Sequence, residues 1–206
     1  MDNPLWILER SGFLHARTTS AAVEFRQEPS APALPQEIRT LELTESEVIV
    51  RAPDGTELQR IPFDPGELTD LNRDYFMTTP DINFDGWPDL LLIASQGLQN
   101  VYYDGWLWDP ETGRYVYEPQ VRELSSPVFN PKTRLVTTYE HGSATDHVSA
   151  VWDWANGRLR EIERVEQSYH DDTGLFTIRT YRLDSDGNLS LVSTETLTEA
   201  EVNSRS

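Results

Sequence analysis

The sequence is defined first by what it lacks. None of its 206 residues is cysteine, which excludes disulfide bonds, cysteine-type zinc sites, iron–sulfur clusters and thiol nucleophiles. Its longest apolar run, Leu90 to Ala94, falls well below the ~20 residues that a membrane-spanning helix requires. The first residues, Met1 to Pro4, lack the basic and apolar regions of a signal peptide. We therefore expect either a cytoplasmic protein or one whose leader was removed.

Signatures of enzymes are missing as well. The sequence contains no nucleophile elbow, no P-loop and no dinucleotide-binding glycine pattern. With 35 Asp and Glu residues, a neighbouring pair of carboxylates is no argument for a glycosidase. His141 and His147 share a segment, but no third nitrogen or sulfur ligand lies at zinc spacing. We predict a protein that is not an enzyme.

The charge is strongly one-sided. Against 17 Lys and Arg stand 35 Asp and Glu, for a net charge of −18. This disfavours nucleic acid or an anionic membrane as the main partner, because both would be repelled. A cationic partner, metal ions or simple solubility remain as explanations. At 37% hydrophobic and 10% aromatic residues, the chain is rich enough in large apolar groups to form a core.

Turn signals recur along the chain and separate segments that alternate in β-branched and aromatic residues. The glycine-containing turns are Asp54-Gly55, Asp85-Gly86, Thr112-Gly113, Asn156-Gly157, Thr173-Gly174 and Asp186-Gly187. This pattern is typical of consecutive hairpins, and no window shows a sustained helical stripe. We predict an all-β fold of consecutive antiparallel hairpins with a β-propeller-like arrangement. The best helix candidate is short, Leu197 to Val202.

The domain boundary is predicted from a proline-rich stretch. Residues Glu28 to Pro35 read as an extended linker that follows a hairpin-like piece around Phe13 to Arg26. We expect residues 1–35 to form this appendage, packed on a main domain that spans residues 36–206.

One segment carries a strong chemical motif. Residues Asp81 to Asp89 match D-x-N-x-D-G-x-x-D, the first nine positions of a calcium loop of the EF-hand type. The predicted ligands are the side chains of Asp81, Asn83, Asp85 and Asp89 and the main-chain carbonyl of Trp87. Hard oxygen donors in this number suit Ca²⁺ better than Mg²⁺, which requires a stricter octahedron.

The motif also departs from the EF-hand pattern. Leu92 stands where an EF-hand has a bidentate glutamate, and the apolar run Leu90 to Ala94 predicts a buried strand in place of an exiting helix. The loop is therefore expected on a β framework, as a structural site. The alternative is an acidic turn that binds nothing. The similar turn at Asp184 to Gly187 fails the pattern, because Arg182 falls at position 1 and Ser190 at position 9.

Two further features stay open on the residues alone. The segment Tyr139 to His147 joins two alternating strands through small and polar residues and is longer than a tight hairpin requires, so it is either functional or a plain surface loop. An aromatic cluster is either a sugar-stacking surface or core and cross-strand pairs. Its members are Tyr102, Tyr103, Trp106, Trp108, Tyr115 and Tyr117.

Several collinear elements carry a resemblance to a known family. They are Asp81 to Leu90, Tyr103 to Tyr115, Glu123 to Pro127, the segment around His141 to Ser143, and Trp154 to Leu159. Together they resemble the calcium-binding, β-propeller-like immunity proteins and lysozyme inhibitors of xanthomonads and their relatives. Those proteins accompany the peptidoglycan-hydrolase toxins of the bacterial-killing type IV secretion system.

The resemblance implies a function and a location. The family is periplasmic, often as lipoproteins, and its members inhibit a lysozyme-like hydrolase by placing a loop in the cleft of the enzyme. Carried to this chain, the inhibitory loop is Tyr139 to His147, and the partner is a cognate peptidoglycan hydrolase of basic charge. The expected contact residues are Tyr139, His141, Gly142, Ser143, Ala144 and His147.

The parts of this loop have predictable uses. The small residues Gly142, Ser143 and Ala144 permit close approach to a cleft floor. The histidines can donate hydrogen bonds to a catalytic carboxylate, and Tyr139 can anchor the base of the loop. Glu140 and Asp146 are expected to point away from the cleft or to meet basic residues at its edge.

A second function of another class remains open. A calcium-stabilised β-propeller that binds glycan or a surface protein would show the same motif and the same aromatic cluster. A hydrolase is disfavoured because no nucleophile or acid–base pair stands out.

Overall fold

The computed structural model describes residues 39–70 and 72–205, and the predicted N-terminal piece and proline-rich linker lie outside these residues. Strands supply most of the regular secondary structure of the described chain. The strands are β1 (Thr40–Leu43), β2 (Glu47–Arg51), β3 (Glu57–Pro62), β4 (Met77–Thr78), β5 (Leu90–Gln96), β6 (Val101–Asp109), β7 (Arg114–Tyr117), β8 (Val128–Asn130), β9 (Leu135–His141), β10 (His147–Ala155), β11 (Arg158–His170), β12 (Leu175–Leu183) and β13 (Leu189–Leu197). Two 3₁₀ helices, Pro65–Glu67 and Pro119–Glu123, and the α-helix α1 (Glu199–Arg205) complete the described elements.

The strands follow one another in three sheets, with orders β1-β2-β3, β4-β5-β6-β7 and β13-β12-β11-β10-β9-β8. Neighbours in each sheet are neighbours in sequence, so the predicted all-β fold of consecutive hairpins is confirmed. Within residues 39–70 and 72–205 the strands form neither a closed barrel nor a propeller. The β-propeller-like part of the prediction is therefore not confirmed: a blade has four strands, and one of the three sheets has that number.

The predicted turns fall where strands end. Asn156 and Gly157, with φ of 53° and 73°, separate β10 from β11. Two successive positive φ values match the twist that a two-residue hairpin loop requires, which explains the Asn-Gly pair.

The chain divides into two compact units. As far as the structure describes them, unit A comprises residues 39–140 and 152–160, and unit B comprises residues 141–151 and 161–205.

Unit A contains two apolar clusters. The first gathers buried residues from β2, β3, β5, β6 and β7 around Phe76, Leu90 and Leu92. The second gathers Ile82, Leu91, Val121, Leu124, Val136 and other side chains. Strand β5 supplies both, because Leu90 and Leu92 belong to the first cluster and Leu91 to the second. This is the period of a strand that is buried on both faces, as the run Leu90 to Ala94 predicted.

Two glutamine side chains in unit A form the pair of main-chain hydrogen bonds that a neighbouring strand would form. The carboxamide of Gln59 donates to the Tyr115 carbonyl at 2.9 Å and accepts from the Tyr115 amide at 2.8 Å. Gln120 does the same for Leu159, at 3.0 and 3.1 Å. A carboxamide offers the same donor and acceptor as a peptide group. Each glutamine therefore supplies the two hydrogen bonds that a neighbouring strand would otherwise make to the amide and the carbonyl of that residue.

Unit B contains the antiparallel ladder β11-β12-β13, with Glu163 opposite Arg182 and Phe176 opposite Leu197. Its helix begins later than predicted, at Glu199, because Leu197 is the last residue of β13 and is 8% exposed. The Thr198 amide donates to the Glu201 carboxylate at 2.8 Å, and this capping contact starts the helix. None of the helices in residues 39–70 and 72–205 is long and apolar enough to cross a membrane.

Candidate metal loop and candidate inhibitory loop

The predicted metal loop, residues 81–89, lies in unit A and leads directly into β5. Its apolar side chains Ile82 and Phe84 are 0% and 4% exposed and belong to the second core cluster. The acidic and amide side chains alternate with them. Phe84 has φ of 60° and Gly86 has φ of 94°. A positive φ is unfavourable for a bulky residue, and burial of the Phe84 ring offsets this cost. The apolar positions thus hold the polar positions in a tight bend.

The polar side chains of the bend bind the amides of their own loop. One Asp81 oxygen accepts from the Asp85 amide and the other from the Gly86 amide, each at 3.0 Å. The Asn83 oxygen accepts from the Asp85 amide at 3.1 Å. The Asp85 carboxylate accepts from the Trp87 amide at 2.8 Å. The structure therefore brings Asp81, Asn83 and Asp85 together on the inner side of one turn.

Asp89 closes the loop from inside the protein. Its side chain is 0% exposed and accepts from the Ile82 amide at 2.7 Å and from the Trp108 amide at 2.8 Å. Burial, together with the charges of Asp85 and Asp81, raises the pKa of Asp89 to about 7, although the two amide hydrogen bonds act in the opposite direction. Burial, with the charge of Asp85, also raises the pKa of Asp81. The loop thus holds carboxylates that repel one another in partly dry surroundings.

The chemistry of this donor set fits a hard divalent cation. All its side-chain donors are oxygens, and an ionised carboxylate oxygen that accepts one amide keeps a second lone pair for another partner. A cation would also relieve the repulsion that raises the pKa of Asp89. In the arrangement present, the carboxylates bind amides. No group of three or more His, Asp or Glu side chains converges at metal-binding distance within residues 39–70 and 72–205.

Two side chains to which the sequence assigned no role at the metal loop contact it. The Arg39 guanidinium lies 3.7 Å from the centroid of the Trp108 ring, and it donates to the Tyr115 hydroxyl at 2.8 Å and to the Pro88 carbonyl. The Trp154 indole donates to the Ile82 carbonyl at 2.7 Å. Both are separated from the loop by tens of residues, so no local spacing reveals them.

The predicted aromatic cluster contains both buried and exposed side chains. Trp108 and Tyr115 are each 4% exposed, and their rings pack edge to face in the first core cluster. Trp106 packs against Tyr117 with ring centroids 5.4 Å apart, and Tyr117 is 45% exposed. The core reading holds for the first pair, whereas Tyr117 lies on the surface.

The predicted inhibitory loop lies between β9, which ends at His141, and β10, which begins at His147. Gly142, Ser143 and Ala144 are exposed. A Cβ atom at Gly142 would lie 3.5 Å from the Asp146 carbonyl oxygen, which is an ordinary contact, and the Gly142 φ is outside the left-handed region. Neither the backbone nor the packing of this chain therefore requires glycine at the exposed tip.

The two histidines flank this loop as a pair. The rings of His141 and His147 lie 5.0 Å apart at an interplanar angle of 88°. Burial lowers the pKa of His147, the positive charge of His141 lowers it further, and Asp146 acts in the opposite direction. The structure thus brings together the rings of His141 and His147, two of the predicted contact residues.

Tyr139 belongs to unit A and is held at its main chain. Its amide donates to the Ser125 carbonyl at 3.2 Å, and its carbonyl accepts from the Ser125 hydroxyl at 2.9 Å. Burial raises the pKa of its half-buried phenol. Since these bonds involve only the main chain of Tyr139, the anchoring role of its side chain stays a prediction.

Asp146 makes contacts that were not expected from the sequence. Its carboxylate accepts from the Ser143 hydroxyl at 2.7 Å and from the Tyr169 amide at 2.8 Å. The spacing S-x-x-D, which is typical of local side-chain to main-chain bonding, was the available signal.

Comparisons with known proteins add one likeness in fold. No protein-family model matches the sequence, and a search of curated proteins finds no match. The solved structure of a Xanthomonas type IV secretion system related protein is similar, with a TM-score of 0.54 and 19% sequence identity. The alignment covers 81% of this chain and 84% of that protein. At this identity the likeness concerns the fold.

Proposed function

We propose that this chain is an immunity protein that binds and inhibits a lysozyme-like peptidoglycan hydrolase by placing the loop from Tyr139 to His147 in its active-site cleft. The observation that carries the proposal is the form of this loop. Its tip exposes the small residues Gly142, Ser143 and Ala144, while hydrogen bonds within unit B hold residues 142–146. A narrow, ordered and exposed tip is what a cleft admits at low entropic cost.

The charge of the chain supports a basic partner. A net charge of −18 would steer the chain towards a cationic hydrolase and raise the rate of encounter. In this proposal the chain itself has no catalytic role.

We propose Ca²⁺ as the cation of the metal loop, held by Asp81, Asn83, Asp85, Asp89 and the carbonyl of Trp87. When bound, the ion would supply positive charge among repelling carboxylates and stabilise the folded state. Its role here is structural, because the loop leads into the buried strand β5.

The cellular setting is proposed from the resemblance of the sequence to immunity proteins of the type IV secretion system. The fold is shared with a Xanthomonas type IV secretion system related protein, which agrees with an immunity protein for a toxin of such a system. A peptidoglycan hydrolase acts in the periplasm, so we propose the periplasm as the location, with a lipoprotein as the full-length form.

The direct experiment is a turbidity assay of cell-wall lysis. Purified cell walls are treated with a commercial c-type lysozyme, or with a lysozyme-like hydrolase identified by sequencing the genes that neighbour the gene of this protein, at increasing ratios of this chain. The proposal predicts that lysis stops near one equivalent for the cognate enzyme. Full lysis by both enzymes at tenfold excess of the chain would refute it.

A second candidate rests on Tyr117, which is 45% exposed and packs against Trp106. Such a pair can stack on a sugar ring, so a calcium-stabilised glycan-binding module is the alternative. It predicts co-sedimentation of the chain with purified cell walls in the absence of any enzyme, and loss of this binding in Tyr117→Ala.

A further inference from the structure

Asp146 makes more hydrogen bonds than its position in an exposed loop would require. Its carbonyl accepts from the amides of Gly142 and Ser143 at 2.9 and 3.2 Å. Its amide donates to the Ser143 hydroxyl at 2.9 Å. Its carboxylate accepts from that same hydroxyl at 2.7 Å. One residue therefore joins both sides of the loop.

The same carboxylate ties the loop to a neighbouring strand of unit B. Its second oxygen accepts from the Tyr169 amide at 2.8 Å, so it satisfies a main-chain donor of β11. Two residues earlier on β11, the Gln167 carboxamide donates to the Thr145 carbonyl at 2.8 Å. Residues 142–146 are thus fixed to β11 at two points.

These bonds hold the tip from within, because they engage the amides of Gly142 and Ser143, the Ser143 hydroxyl and the Thr145 carbonyl. The hydrogen bonds that the Asp146 carboxylate accepts lower its pKa, with the bond from the Tyr169 amide as the first cause and the bond from the Ser143 hydroxyl as the second. Both groups stabilise the ionised form. Gly142, Ser143 and Ala144 stay exposed, so the anchored conformation presents the residues that a partner can reach.

We propose that Asp146 and Gln167 are positioning residues that hold the tip, residues 142–145, in the conformation that enters the partner. This inference rests on the proposed function for its binding part. If the tip must order before it binds, the apparent dissociation constant rises as the fraction of ordered loop falls. A loop ordered about one tenth of the time would bind about tenfold more weakly.

Three variants separate positioning from direct contact. Asp146→Ala removes both carboxylate bonds. Asp146→Asn removes the same charge and keeps an oxygen that accepts from the Tyr169 amide. Its NH₂ group cannot replace the acceptor of the Ser143 hydroxyl, because that hydroxyl already accepts from the amides of Thr145 and Asp146. Asp184→Ala is the matched control, because Asp184 accepts from the Asn188 amide at 2.9 Å and from the Ser190 hydroxyl at 2.7 Å in another hairpin turn of unit B.

The first measurement is amide hydrogen exchange in the free protein, which needs no partner. We expect Asp146→Ala to accelerate exchange at residues 142–146 and at Tyr169 by at least about tenfold, and Gln167→Ala to accelerate it at Thr145 and its neighbours. Asp146→Asn should leave the Tyr169 amide near wild type, and Asp184→Ala should leave all of these amides near wild type. Unchanged exchange in Asp146→Ala would overturn the proposal.

The second measurement is inhibition of a c-type lysozyme and of the neighbouring hydrolase. We expect Asp146→Ala to weaken inhibition about tenfold, and Asp146→Asn, which keeps the bond from the Tyr169 amide, to weaken it less. Equal losses in both variants would mean that the carboxylate charge contacts the enzyme directly, which overturns the positioning role. Faster exchange with unaltered inhibition would also overturn it. Failure of the wild type to inhibit either enzyme would count against the proposed function, and exchange alone would then decide whether these residues order the loop.

Discussion

At the scale of single residues, the acidic side chains do more than supply charge. Asp89, Asp146 and Asp184 each accept hydrogen bonds from main-chain amides of a turn or a neighbouring strand. Such bonds to ionised acceptors are among the stronger ones in proteins. A part of the negative charge is therefore explained by local structure, before any partner is considered.

The metal loop is tested by removing one charge from it. Asp85 is exposed and its carboxylate accepts from the Trp87 amide, a bond that Asn can keep. We expect Asp85→Asn to fold normally and to weaken calcium binding about tenfold or more, since affinity follows the charge of the ligands. The measurement is the rise in Tm with added calcium.

Asp186→Asn is the control for this variant, because it makes the same charge change in the exposed turn between β12 and β13. It should keep the full calcium response. An identical response in both variants, or no response in the wild type, would show that the loop from Asp81 to Asp89 is not the site.

Asp89 predicts a pH dependence of the calcium response. Its pKa is raised from 3.8 to about 7 in the metal-free fold. This group therefore adds stability that is fully present below pH ~4 and is lost as pH rises through about 7. Calcium requires the ionised form and competes with this proton.

The rise in Tm caused by calcium should therefore be larger at about pH 8 than at about pH 5.5. The comparison uses metal-free and calcium-supplemented protein at each pH, so that other titrating groups cancel. A rise that is independent of pH would mean that Asp89 does not bind the ion.

At the scale of elements, the Gln59 carboxamide joins β3 to β7 in unit A. We expect Gln59→Glu to place a carboxylate oxygen against the Tyr115 carbonyl and to lower the free energy of unfolding by about 1–3 kcal/mol. For a chain of this length, that corresponds to a Tm lower by roughly 2–4 °C per kcal/mol.

Gln99→Glu, in the exposed turn between β5 and β6, adds the same charge without breaking such a bond. Thermal unfolding of both variants in calcium separates the two effects. Equal Tm values would show that the carboxamide link contributes nothing.

The elements differ in how far the sequence could predict them. Strand ends and hairpins followed from turn residues such as Asn156-Gly157, because φ requirements are local. The buried strand β5 followed from its apolar run. The Gln59 and Arg39 contacts could not be predicted, since each depends on a partner 49 or more residues away. The start of α1 at Glu199 agrees with the local capping contact between Thr198 and Glu201. Leu197 falls outside the helix because it is buried as the last residue of β13, which is a tertiary effect.

At the scale of the whole molecule, the net charge of −18 predicts how the chain meets its partner. If the partner is a basic hydrolase, its association rate should fall steeply as salt is raised beyond physiological strength, where the Debye length is ~8 Å. Dissociation should change less. Surface plasmon resonance at several salt concentrations measures both rates. An association rate that does not depend on the salt concentration would mean that the negative charge serves solubility alone.

Entry of the exposed tip into a cleft is the central claim, and the inhibition constant of one variant tests it most directly. Ala144 is exposed at the tip, so Ala144→Trp should leave Tm nearly unchanged while its bulk blocks entry and weakens inhibition of the hydrolase at least a hundredfold, as the loss of a buried contact centre does. Ser185→Trp, at an exposed turn of the same unit, should inhibit like the wild type. Equal inhibition by Ala144→Trp and the wild type would contradict the account.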